Sequence, residues 1–145
     1  MDESHKDVPR ELIPLDELGP PPANYSPAVR VGSQVFVSGM IAMHDGAVVG
    51  IGDVTKQTRV VIGHIETALR NAGAAFADVV RYRIYLTDIA DLAEVRTVLG
   101  SAFGSIRPAG TLVVVCGLVH PDLKIEIDVD AVIGSALIEK GSIPT

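Results

Sequence analysis

A chain of 145 residues, 48% hydrophobic and 21% charged, has the length and balance of one globular domain that needs no disulfide staple. Its net charge of −6, its singly scattered lysines and arginines and its total of three Phe and three Tyr weigh against a nucleic-acid partner, through phosphate repulsion and a shortage of stacking surface. Cys116 is the only cysteine, no apolar run approaches the ~18 residues of a membrane span, and Met1-Asp2-Glu3-Ser4-His5 is neither a basic leader nor a signal core, so a cytoplasmic location is expected.

Residues 1–9 are polar and expected to fray, 10–134 to form a single domain, and 135–145 to be a C-terminal tail. A short edge strand is predicted over Glu11 to Leu15, followed by a stiff Gly19-Pro20-Pro21-Pro22 connector into Tyr25-Ser26-Pro27. Ala28 to Val31 and Gln34 to Ser38, broken by Gly32-Ser33, read as a hairpin. Asp45-Gly46 leads into a third short strand at Ala47-Val48-Val49.

From Asp53 the period becomes helical: Val61, Ile65, Ala68, Leu69 and Ala72 share one face, with Asp53 as N-cap and Gly73 just past the end. Gly63 inside this helix costs about 1 kcal/mol relative to Ala, and a close approach to the sheet would account for it. Val79 to Leu86 is a strand by its Val, Tyr and Ile content. A second helix follows, with capping-box spacing at Asp91 and Glu94, a stripe of Leu92, Val95, Leu99, Ala102 and Phe103, and Gly104 at its close. Thr111 to Leu118 and Lys124 to Ile133 complete an α+β layer, two helices on one face of a mixed sheet.

Thr111 to Leu118 is apolar on both of its faces, whereas two helices cover only one. Either the second face is covered by another copy of the chain, or the strand is central in a thicker monomer. Glu126, Asp128 and Asp130 alternate along the last strand and read equally as a solvated face. His5, His44, His64 and His120 lack metal-ligand spacing and read as surface or loop residues, and no metal or other cofactor is called for. Cys116 reads as inert packing in an apolar strand, and Gly50-Ile51-Gly52 as a turn.

Seven segments in order carry a resemblance: Tyr25-Ser26-Pro27-Ala28, Val35-Phe36-Val37-Ser38-Gly39, Gln57-Thr58-Arg59, Ala72-Gly73-Ala74 with Asp78-Val79-Val80, Tyr85-Leu86-Thr87-Asp88, Arg107-Pro108-Ala109 and Ile125-Glu126-Ile127. In these the chain resembles the Rid (YjgF) family of enamine and imine deaminases over roughly Glu11 to Ile133. The resemblance implies a chorismate-mutase-like fold, a homotrimer whose three sheets form a central barrel, and small-molecule sites in the clefts between subunits. It also implies hydrolysis of a reactive imine to a keto compound and ammonia. The matching strand glutamate, Glu126, would orient a water or pass a proton. Tyr25 and Ser38 match pocket-lining positions, Gly39 a backbone contact, and Thr111 and Leu112 the main-chain N–H groups that bind a substrate carboxylate. Tyr25 also reads as packing before the hairpin, and Ser38-Gly39 as the end of a strand. Some members of the family carry a ribonuclease or translation-inhibitor label, which this composition does not support.

The chain departs from the family pattern at one position. An arginine that grips the substrate carboxylate follows the Pro-Ala pair in the family, and here that residue is Gly110. Loss of one buried charged contact removes ~2 to 5 kcal/mol of binding. Arg107 lies three residues too early to replace it, and Arg83 is the other candidate, with solvent as its alternative surroundings. Two functions follow: a hydrolytic deaminase with an altered substrate, or a non-catalytic trimeric protein that binds a small metabolite. An arginine restored at 110 is expected to favour small 2-imino acids, provided Leu112 and Leu118 leave it room.

Overall fold

The computed structural model describes residues 7–20 and 24–135, so Pro21 and Pro22 of the connector, residues 1–6 of the fraying segment and residues 136–145 of the tail lie outside it. Eight strands and two helices follow in the order β1 (Arg10–Ile13), β2 (Ala28–Val31), β3 (Gln34–Ile41), β4 (Met43–His44), β5 (Ala47–Val48), α1 (Val54–Asn71), β6 (Val79–Leu86), α2 (Leu92–Phe103), β7 (Ala109–Val114) and β8 (Ile125–Val132). Six strands make one sheet in the order β1-β2-β3-β8-β6-β7, and β4 and β5 pair separately. Every pairing in the large sheet is antiparallel except β6 with β7, where α2 is the crossover. This is the expected α+β arrangement.

The core lies between the sheet and the two helices. Along β8, Ile125, Ile127, Val129 and Ala131 are buried while Glu126, Asp128 and Asp130 alternate with them on the other face. All five residues of the expected α1 stripe are buried, and Val95, Leu99 and Phe103 of α2 join them. Each such Leu, Ile or Val contributes roughly 1.5 to 3 kcal/mol on leaving water. Asp53 caps α1 by accepting from the Lys56 N–H at 2.9 Å, and Gly73, at φ 82°, supplies the left-handed residue beyond the last turn.

Several local expectations give way to tertiary contacts. A Cβ at Gly63 would meet nothing within 4 Å, so no close approach explains that glycine. The capping box of α2 does not form: Asp91 accepts from Lys124 Nζ at 3.2 Å, and Glu94 accepts from the Thr55 hydroxyl at 2.9 Å. His64 is not a surface residue. It is buried in α1 with Nε2 3.0 Å from the Met43 carbonyl oxygen, and burial lowers its pKa. The strand expected over Thr111 to Leu118 runs instead from Ala109 to Val114 at the outer edge of the sheet, which rules out a central position. Val113 and Val114 are exposed, as is Cys116, which lies beyond the strand rather than packed within it.

Candidate active site at the Ser38–Gly39 bulge

Strand β3 does not end at Ser38-Gly39 but continues to Ile41, and its pairing with β8 slips between Val37 and Met40. The bulge bends the strand where it passes Glu126. It also explains Gly39: a Cβ there would lie 2.9 Å from Glu126 Cδ and 3.0 Å from Oε2. Any side chain would push the carboxylate out of place, so Gly39 serves the site through the atoms it lacks.

Two hydrogen bonds staple the preceding segment onto this bulge. The Ser38 hydroxyl donates to the Ser26 carbonyl at 2.6 Å, and the Ser38 N–H donates to the Pro27 carbonyl at 2.9 Å. Tyr25 is thereby held at the wall of a cavity of about 320 Å³ that also takes in Ser38, Gly39 and Glu126. Tyr25 is exposed rather than packed into the first hairpin. The Ser38 hydroxyl spends its proton on the backbone, so it faces a ligand only as an acceptor.

Glu126 is half-buried, and among the described residues no lysine or arginine forms an ion pair with it. Burial, assisted by the charge of Asp128, raises its pKa. Its two neighbours on the same face are paired. Arg83 donates through Nη1 to Asp128 at 2.7 Å and through Nη2 to Asp130 at 3.2 Å, while the Tyr85 hydroxyl donates to Asp128 at 2.9 Å. The face is therefore not simply solvated, and Glu126 is the carboxylate this network leaves over. Arg83 is already committed to two carboxylates, which removes it as a ready replacement for the missing arginine. Arg107 sits at φ 54° in the turn after α2, exposed, and is not among the residues that line the cavity.

The cavity has walls that the sequence did not reveal. Met43 and His44 of β4, Asp45 and Gly46 of the following turn, and Val119 of the β7–β8 loop all line it. His44 Nε2 is 3.3 Å from the Asp45 carboxylate. The Asp45-Gly46 turn was the one legible signal for this wall, with both residues at positive φ. Among the described lining residues there is no lysine or arginine. Gly110, Thr111 and Leu112 do not join this group within one chain: they lie on β7, separated from β8 by β6 and opposite Tyr82, Arg83 and Ile84.

A family model described as endoribonuclease L-PSP matches residues 17–133. The 3-aminoacrylate deaminase RutC of Acinetobacter baylyi is 40% identical over 121 residues, covering 83% of this chain and 95% of that protein. Among solved structures, Rv2704 of Mycobacterium tuberculosis, a member of the YjgF/YER057c/UK114 family, superposes with a TM-score of 0.76 at 41% identity, covering 86% of this chain and 100% of that one. YyfA of Yersinia pestis, from the conserved Rid protein family, gives a TM-score of 0.80 at 28% identity, covering 86% of this chain and 100% of that one. The bulge that seats Glu126, the six-stranded order with β8 in its middle and these likenesses over more than four-fifths of the sequence lead to one assignment: the chain belongs to the Rid (YjgF) family.

Proposed function

We propose that the protein is a hydrolytic deaminase of a reactive enamine or imine, acting as a homotrimer in whose clefts the Glu126 pocket of one copy is completed by the β7 edge of the next. The observation that carries this reading is Glu126 itself: a half-buried carboxylate with a raised pKa and, among the described residues, no cationic partner, facing a cavity beside Tyr25 and Ser38. Such a group takes one proton from water as that water adds to the imine carbon and passes it to the nitrogen, then relays the hydroxyl proton of the resulting carbinolamine to the same nitrogen as the carbonyl forms, the carbon–nitrogen bond breaks and ammonia leaves. The similarity to a protein named 3-aminoacrylate deaminase supports the same reaction class. The substrate differs from a small 2-imino acid, because Gly110 offers a carboxylate only backbone N–H groups, together with those of Thr111 and Leu112.

A ribonuclease reading, suggested by the description of the family model, fits poorly. The net charge is −6, and the described lining carries Glu126 and Asp45 with no lysine or arginine, so phosphate is repelled at long and short range.

The test is ammonia release from freshly generated 2-iminopropanoate and from a panel of larger and uncharged imines, with Glu126→Gln as control. Turnover of uncharged imines that is lost in Glu126→Gln, with poor turnover of 2-iminopropanoate, is the expected result. Saturable binding without ammonia from any member of the panel would favour the non-catalytic metabolite-binding protein instead, a reading that Gly110 supports.

A further inference from the structure

Gly110 is not an empty position. On the neighbouring strand Tyr82 lies directly opposite it, and the Tyr82 ring folds across the glycine: a Cβ at 110 would lie 2.7 Å from Tyr82 Cε2, 3.1 Å from Cζ and 3.3 Å from the hydroxyl oxygen. The first of these is closer than two carbons can come. The ring is not free to yield, because it packs against Phe103 of α2 at a centroid distance of 5.4 Å, and Phe103 is itself buried and stacked edge-on to Phe76 at 5.3 Å. Gly110 has an ordinary negative φ, so backbone conformation does not require a glycine there. What requires it is the ring.

The far end of Tyr82 reaches solvent. Among the described residues its hydroxyl has no protein partner, yet no buried side-chain polar atom is left unpaired, so the phenol oxygen is wet. It lies over β7, the outer strand of the sheet, and gives that edge a neutral donor and acceptor in place of a cation.

We propose that Tyr82 is a specificity-determining residue of the site: its ring fills the space that a side chain at 110 would enter, so the β7 edge presents a neutral phenol and the site takes imines that bear no carboxylate. This rests on the proposed function, both for the imine and for the β7 edge that completes the Glu126 pocket of another copy, whereas the contact of Tyr82 with the space at Gly110 stands on geometry alone. Leu112 and Leu118, the residues first expected to compete for this space, are not the ones found against Gly110.

The experiment uses pyruvate as a carboxylate probe, followed by calorimetry, with thermal stability and oligomeric mass measured on the same samples. Wild type and Gly110→Arg are both expected to bind pyruvate weakly, whereas Tyr82→Val with Gly110→Arg gains about tenfold or more in affinity, since the fork of an arginine then has room to meet the carboxylate. Tyr82→Val alone should show no such gain. If Gly110→Arg alone binds as tightly as the double variant, or if a folded double variant gains nothing, the proposal is overturned. Gly110→Ala guards against misfolding of the arginine variants: it should lower the melting temperature beside Tyr82 and have little effect beside Tyr82→Val, and equal effects in the two backgrounds would also overturn it. Should the pyruvate results hold while no variant releases ammonia from any imine, the deaminase reading fails and the role of Tyr82 survives.

Discussion

At the level of single residues, the site depends on how closely Glu126 and Gly39 approach each other. Gly39→Ala places a methyl 2.9 Å from Glu126 Cδ, so the carboxylate must shift by several tenths of an ångström, away from the position in which the proposed mechanism uses it. Ammonia release should fall about 10- to 100-fold with the fold retained, as checked by circular dichroism alongside steady-state rates. If Glu126 transfers the proton as proposed, Glu126→Gln should cost roughly 10²- to 10⁴-fold in turnover. The same substitution has an opposite effect on stability. Because burial raises the Glu126 pKa, the folded protein holds this proton more tightly than the unfolded chain does. The resulting stabilisation is complete below the ordinary carboxylate range and disappears as pH rises through the raised pKa. Glu126→Gln escapes that decline, so its melting temperature relative to wild type should climb as pH rises from the ordinary carboxylate range through the raised pKa. A constant difference across that range would mean that Glu126 titrates as an ordinary exposed carboxylate.

Among the elements, the connection into β8 is held by one buried amide. Gln57 in α1 donates from Nε2 to the carbonyls of Gly50, at 3.2 Å, and Asp122, at 2.8 Å, and its Oε1 accepts from the Lys124 N–H at 2.8 Å. Gln57→Leu keeps the volume but strands two backbone groups, the Asp122 carbonyl and the Lys124 N–H, while the Gly50 carbonyl keeps its bond from the Asp53 N–H. It should destabilise by about 2 to 4 kcal/mol, measured by urea unfolding. Periodicity made the two helices and the long strands legible, because their buried faces repeat at 3.6 or 2 residues and depend on little else. It did not reveal β4, only two residues long, and so it missed Met43 and His44 at the cavity wall. Nor did it foresee that Asp91 would leave its helix cap for Lys124, a partner 33 residues away. Tyr82 over Gly110 was hidden for a similar reason: the register of β6 against β7 is set by the α2 crossover and has no local signature. Glu126 itself was legible only through the family resemblance, since its alternation with Asp128 and Asp130 looks the same whether a face binds a ligand or water.

For the molecule as a whole, β7 is an exposed edge with apolar residues on both faces, and a strand of that kind invites pairing or packing with another copy. Light scattering should give three times the 15.3 kDa of one chain. Val113→Lys, on a residue 42% exposed in the single chain, should cost less than about 0.5 kcal/mol of intrinsic stability yet shift the mass toward that of the monomer. An unchanged mass would remove β7 from the interface and the intersubunit cleft with it. The sheet order has one further consequence, for the timing of assembly. Among the described residues β8 is the last strand, yet it lies between β3 and β6, so until it is added the sheet exists as two unjoined halves. A nascent chain emerging from the ribosome can form its first hairpin and its helices, but it has neither a continuous sheet nor Glu126 until β8 has been made. Closure of the sheet and arrival of Glu126 are therefore one event, and under the proposed function a chain that lacks β8 has no deaminase activity.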